Sequence, residues 1–207
     1  ALGHGAIANL FNGPVTVQEK IDGSQFSWGV FDGELHCRSK GAQLHLDAPE
    51  KMFVAAVEVV QSLHTRAIPG LIYRCEYLAS PRHNTLKYNR IPNNHLVLFD
   101  IDAGMENYLS TKAVEIEAVR LGLEPVPTLV DNVNFASWDN LKSLLDQPSC
   151  LGGTKVEGIV VKAYGRYGID KKTLMGKYVS EAFKDELGFY FQRSYKGSMD
   201  YGVDAVK

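Results

Sequence analysis

Cysteine is scarce in this chain of 207 residues: Cys37, Cys75 and Cys150 form no CxxC pair and no Cys/His spacing suited to zinc. A disulfide framework is thereby excluded as the source of stability, and reduced thiols in a cytoplasmic setting are expected. Long apolar runs are missing too. None approaches the roughly 18 to 20 residues of a membrane span, and residues 1–10 lack the basic flank and apolar stretch of a signal peptide. Net charge is almost absent, since 22 Lys and Arg stand against 24 Asp and Glu. No whole-chain field draws the protein to nucleic acid, so any such site must be a local basic patch. What is present is enough apolar material, 45% of residues, to bury a core, which argues against disorder. No repeat, low-complexity stretch or polar linker divides the chain, and a single domain over residues 1–207, most simply a monomer, is expected. The numbering opens on Ala1 rather than a methionine, which leaves room for flanking segments.

Runs of β-branched and aromatic residues predict strands over residues 15–20, 25–31, 34–38, 71–78, 95–101 and 157–163. Asp32-Gly33, between two such runs, predicts a two-residue hairpin turn, because both residues accept positive φ. Asp47, Pro49 and Glu50 open a helical pattern to about Arg66, with Phe53, Val54, Val57, Val60 and Leu63 near one face. A second helix is predicted from a Ser110 cap through Val114, Ile116, Val119 and Leu121 to Gly122. A third follows Ser137 with Leu141, Leu144 and Leu145. The order of elements is not the alternation of a doubly wound sheet, so an α+β fold of largely antiparallel sheets flanked by helices is expected.

Lys20 ends an apolar strand and is followed by Ile21-Asp22-Gly23-Ser24, so a strand delivers a long amine directly into an Asp-Gly turn. A lysine attacks phosphorus only when neutral, and burial or a neighbouring cation moves it toward that state. A lysine beside a turn is ordinarily a solvated surface residue, and these few residues alone decide little.

Other short motifs give it context. Residues 19–24 (EKIDGS) resemble motif I of the covalent nucleotidyltransferases, the superfamily of DNA ligases, RNA ligases and capping enzymes. Residues 95–101 (HLVLFDI) are similar to its motif IIIa strand, residues 156–162 (VEGIVVK) to motif IV, and residues 176–178 (GKY) to motif V. Arg38 and Glu76 stand in the places of the intervening arginine and the motif III glutamate. Within the superfamily the chain most resembles the double-strand-break type of phage RNA ligases and the RNA-editing ligases, whose motif I reads KxxGxNF. Three departures are evident: Asp22 where those ligases often carry histidine, Gln25 for asparagine, and Met175 where motif V has a first lysine. Either Lys171 or Lys172 compensates from a shifted loop, or Lys177 acts alone.

The resemblance implies an ATP-grasp-like adenylation fold and an ATP-dependent ligase in which Lys20 becomes adenylylated, with Glu157 and Lys177 also catalytic. It places Glu19, Ile21, Arg38, Glu76, Phe99, Lys162 and Lys177 at the nucleotide, with Phe99 stacking on adenine and Glu76 accepting from a ribose hydroxyl. Glu157 and Asp100 would lie near Mg²⁺ or Mn²⁺, which prefer hard oxygen ligands. Each residue has a plainer reading: Phe99 as core, Asp100 as a local backbone cap, Lys177 as a surface lysine. The stretch 80–90 carries Arg82, His83, Lys87 and Arg90 and is the best local basic patch, readable as a phosphate-backbone contact or as a solvated loop. His36, His45, His64 and His95 share no metal spacing. RNA ends in a nicked duplex or bridged break are the expected partners, with DNA or hybrid duplexes as alternatives, in the cytoplasm (the host's, if the gene is a phage's). The short stretch after motif V leaves no room for an OB domain, so a C-terminal domain is expected to be absent or truncated. A minimal DNA ligase, a capping guanylyltransferase and a non-catalytic end-binding module remain open.

Overall fold

The computed structural model describes residues 9–135, 138–179 and 190–192. They divide into two compact units. The first comprises residues 9–22, 85–88, 127–135, 138–179 and 190–192, the second residues 23–84 and 89–126.

The first unit is built on β1 (Val15–Lys20), β8 (Thr128–Val133), β9 (Gly158–Tyr167), β10 (Thr173–Val179) and β11 (Tyr190–Gln192). They form an antiparallel sheet in the order β11-β10-β9-β1-β8. One face is apolar: Val15, Val17, Ile159, Val161, Ala163 and Leu174 pack with Leu10, Leu141 and Leu145. Side chains of this size contribute about 1.5–3 kcal/mol each when fully buried, which fixes the sheet and leaves the other face free for polar groups.

The second unit carries β2 (Ser24–Phe31), β3 (Glu34–Ser39), β4 (Gln43–Leu44), β5 (Ile72–Tyr77), β6 (Leu96–Asp102) and β7 (Glu124–Pro125). The sheet order is β4-β3-β2-β5-β6-β7, antiparallel except for the parallel β6/β7 pair. Its core face buries Phe26, Trp28, Tyr73, Cys75 and Tyr77 against helices α1 (Val54–Leu63) and α2 (Thr111–Leu121). Trp28 stacks on Tyr73 with centroids 4.4 Å apart. Together the units make an α+β fold, as the order of elements predicts.

Asp32 and Gly33 turn β2 into β3 with φ of 52° and 78°, the paired left-handed conformation that an Asp-Gly hairpin requires. Helix α2 begins and ends where its caps predict: the Ser110 hydroxyl accepts from the Ala113 amide at 3.1 Å, and Gly122 takes φ 73°. Ile116 and Val119 are nonetheless 59% and 68% exposed, and Ala118 and Glu117 turn inward in their place.

Three expectations are corrected. The helix predicted from Asp47 starts at Lys51, as a short 3₁₀ turn before α1, and reverts to 3₁₀ at His64–Arg66. Pro49 disfavours helical geometry in the residue before it, so the nucleus forms only after Glu50. The helix expected after Ser137 is a 3₁₀ segment, Trp138–Asp146, in which Leu141 and Leu145 are buried as anticipated; Ser137 itself lies outside the described residues. Asp139, Asn140 and Ser143 are weak interior helix residues and Pro148 follows closely, which favours the tighter, shorter form. Strands β4, β7, β8, β10 and β11 are absent from the sequence expectation: β4 and β7 are two residues long, β8 is a largely polar edge, and β10 is buried on both faces and shows no alternation. Among the described residues no helix is long and apolar enough to cross a membrane.

Candidate active site

Lys20 is the last residue of β1, and ladder register defines its neighbours. Across β1 and β9, Thr16 lies opposite Lys162, Gln18 opposite Val160 and Lys20 opposite Gly158. Across β9 and β10, Lys162 faces Met175 and Val160 faces Lys177. Opposed residues share a face and side chains alternate along a strand, so Thr16, Gln18, Lys20, Lys162, Met175 and Lys177 all project from the face opposite the core. Glu157, immediately before β9, places Oε2 2.5 Å from the Lys20 Nζ, with the two side chains 12% and 21% exposed. Gly158 is required beside it, since a Cβ there would collide with the Tyr178 carbonyl oxygen.

The remaining residues of this face are more deeply set. Lys162 is buried and its Nζ donates to the Gln18 Oε1 at 2.5 Å, with the Tyr164 ring centroid 5.8 Å away. Lys177 is half-buried, and Met175 occupies the ladder position directly opposite Lys162. Lys171 and Lys172 sit in the turn before β10, Lys171 with φ 61°. Glu19 alternates to the other face, where its Oε2 accepts from the Cys150 amide at 3.1 Å, and Ile21 is buried.

Asp22 has a role that sequence reasoning misses. Its Oδ2 accepts from the Thr85 and Leu86 amides at 2.9 and 2.8 Å, while its own N–H donates to the Tyr88 hydroxyl at 2.9 Å. The turn after the lysine is thereby fastened to residues 85–88. Burial first, and then the carboxylates of Asp22, Glu157 and Glu19, push the Tyr88 phenol far up, so it stays a neutral group among acids. Gln18 is the other residue missed. The available signal is its spacing, two residues before Lys20 and therefore on the same face of a strand.

In the second unit, Arg38 and Glu76 lie on the sheet face away from the core, opposite Ser27 and Gln25 of β2. The Glu76 Oε1 accepts from the Gly23 amide at 3.2 Å, a close approach that needs glycine, because a Cβ would meet the Tyr77 carbonyl at 2.6 Å. Phe99 is the extra residue of a β-bulge: Leu98 pairs with Cys75 and Asp100 with the adjacent Arg74. It is half-buried and outside the core cluster, the kind of position at which a bulge re-aims a side chain. Asp100 is 1% exposed and lies opposite the equally buried Arg74, whose Nη2 donates to the Asp102 Oδ2 at 3.1 Å.

Among the described residues no group of three or more His, Cys, Asp or Glu is arranged to hold a metal. That pattern still suits a magnesium-type ion, which is commonly held by one or two carboxylates together with substrate phosphates. Glu157, 12% exposed and beside Lys20, is the carboxylate that a ligand can reach; Asp100, 1% exposed, lies opposite Arg74 on the ladder. In the basic stretch, Arg82 and Lys87 are exposed. Arg90 instead makes two bonds to Glu124, at 2.8 and 2.9 Å.

The comparisons with known proteins follow this geometry. A Naegleria gruberi RNA ligase with PPi superposes with a TM-score of 0.64 at 22% identity over 86% of this chain and 54% of that one. Variants of the same ligase, one with ATP and Mn and one with AMP and Mn, give TM-scores of 0.61 and 0.60 at 21% identity. The chain thus shares the fold of these structures and spans about half of their length. No curated protein matches it. A family model described as RNA ligase matches residues 13–179, the span that holds Lys20, Glu157, Lys162 and Lys177, and the chain therefore belongs to the RNA ligase family.

Proposed function

We propose that this chain is the adenylylating domain of an ATP-dependent RNA ligase, in which Lys20 carries AMP and 3′-hydroxyl and 5′-phosphate RNA ends are joined. The observation that carries the reading is the Lys20–Glu157 pair, at a strand end on the same face as Lys162 and Lys177. An amine paired with a carboxylate is held as an ammonium, which is not a nucleophile; anything that draws Glu157 away frees it to lose its proton. Glu157 would hold a divalent cation, Mg²⁺ or Mn²⁺, which would supply neutralisation of phosphate charge.

In the first step the Lys20 Nζ bonds to the α-phosphorus of ATP as the bond to the β-phosphate oxygen breaks, and pyrophosphate leaves. A 5′-phosphate oxygen then takes the AMP, breaking the N–P bond. Finally the 3′-hydroxyl attacks that activated 5′-phosphate, losing its proton, and AMP leaves. Lys162 and Lys177 hold the α-phosphate, where fixed cations stabilise the charge that builds on its oxygens. Arg38, Glu76 and Phe99 bind sugar and base, as the resemblance implies. A nicked duplex in RNA repair is the substrate context that the family suggests, with a monomer acting in the cytoplasm.

Intact-mass analysis after incubation with ATP and Mg²⁺ tests this directly. The wild type is expected to gain one AMP, and Lys20→Ala none. Labelling by GTP in place of ATP would indicate a guanylyltransferase, and no adduct with any nucleotide would leave only an end-binding module. Sealing assays on nicked RNA, DNA and hybrid duplexes then assign the polymer.

A further inference from the structure

We infer that Gln18 is a positioning residue that holds the Lys162 ammonium at the phosphate site without cancelling its charge. The inference rests on the reading of Lys162 as a phosphate-binding cation. Three consecutive same-face residues of β1 each hold a polar partner on a flanking strand or at its end. Thr16 donates from Oγ1 to the Asp131 carboxylate at 2.9 Å, and Lys20 pairs with Glu157. Between them Gln18, 2% exposed, accepts from the Lys162 Nζ at 2.5 Å and donates from Nε2 to the Thr128 hydroxyl at 3.2 Å. The orientation of the amide is set, since a lysine ammonium can only donate. A relay therefore runs from an exposed hydroxyl on β8, through a buried amide, to a buried cation on β9.

The choice of an amide has a chemical consequence. A glutamate at position 18 would hold the ammonium equally well, but as an ion pair, and the field at an incoming phosphate would be largely neutralised. A neutral carbonyl oxygen orients the cation and leaves its charge available. That matters more here because Met175, directly across the ladder from Lys162, brings no charge of its own.

The test is single-turnover AMP transfer, with the rate and the apparent KM for ATP measured separately. The variants are Gln18→Leu, Gln18→Glu, Thr128→Val and Lys162→Met, with Gln18→Leu also combined with Lys162→Met. Gln18→Leu and Gln18→Glu are each expected to slow transfer by about tenfold, and Gln18→Leu to cause no further loss once Lys162 is methionine. Thr128→Val, which alters only the exposed end of the relay, is expected to slow transfer by about threefold and covers the case in which a Gln18 variant fails to fold. A wild-type rate in Gln18→Glu, losses that multiply when Gln18→Leu is combined with Lys162→Met, or a wild-type rate in Lys162→Met would each overturn the inference. An AMP adduct on Lys20→Ala would instead overturn the underlying reading. Loss of that adduct together with indifferent Gln18 variants would overturn only this one.

Discussion

Two ion pairs, one in each unit, show how differently this chain treats opposite charges. Arg74 and Asp102 meet at 3.1 Å with both side chains 1% exposed. Lys20 and Glu157 are closer, at 2.5 Å, yet 21% and 12% exposed. Distance alone ranks the lysine pair as the firmer; exposure reverses the order. A sealed pair cannot part without leaving a bare charge in a low-dielectric interior, whereas an open pair can exchange its partner for water, a cation or a phosphate. Chemistry is therefore expected at the exchangeable pair, and rigidity from the sealed one.

The largest effect that would sharpen this contrast is expected from Glu157→Gln, which keeps the shape and removes the charge. AMP transfer in a single-turnover assay should fall by roughly 10²–10³-fold. Stability should change by no more than about 1 kcal/mol, as for other partly exposed pairs. A large drop in the denaturant midpoint with transfer intact would break the comparison. The opposite profile is expected of Asp102→Ala: about 1.5–3 kcal/mol of stability lost in urea unfolding, because the buried Arg74 guanidinium loses a charged hydrogen bond, although Asp100 still lies opposite it.

A third expectation separates the two faces of the second unit. Phe99→Ala should raise the KM for ATP by about tenfold, the usual worth of one base–aromatic stack, with less than about 1 kcal/mol of stability lost. Phe26→Ala, in the core of the same sheet, should instead cost about 3–5 kcal/mol. Equal stability losses at the two positions would show Phe99 to be ordinary packing.

Local chemistry was legible in the sequence where a single residue dictates backbone geometry. Asp32-Gly33 requires the hairpin, and Ser110 with Gly122 brackets α2, because each acts on its own few residues. Lys20 and Glu157 could be named from motif spacing, but not the ion pair between them, which depends on antiparallel register across 137 positions of chain. The same limit hid Gln18, whose partners Thr128 and Lys162 lie on two other strands, and Asp22, whose Asp-Gly context suggests a turn although its carboxylate holds the amides of Thr85 and Leu86. Hydrophobic periodicity mispoints at Ile116 and Val119, since nothing local tells which side of a mixed helix the sheet covers. The bulge at Phe99 is likewise a property of pairing and leaves no mark in its own strand.

The weak end of the comparison is the Arg90–Glu124 pair, and it gives the smallest expected effect. The Arg90 side chain is 48% exposed, but its two bonds to Glu124 commit the guanidinium within the protein, while Lys87 is exposed at the surface. If residues 80–90 meet RNA through phosphates, Lys87→Ala should lower the slope of log K against log salt by roughly 0.7–0.9, one phosphate contact's share. Arg90→Ala should leave that slope unchanged and cost up to about 1 kcal/mol of folding stability. Both quantities are accessible from fluorescence-anisotropy titrations at several salt concentrations and from urea unfolding of the same variants. Should Arg90→Ala flatten the salt dependence and Lys87→Ala leave it untouched, the paired arginine would be exchanging Glu124 for phosphate, and exposure of one partner alone would suffice to make a pair exchangeable.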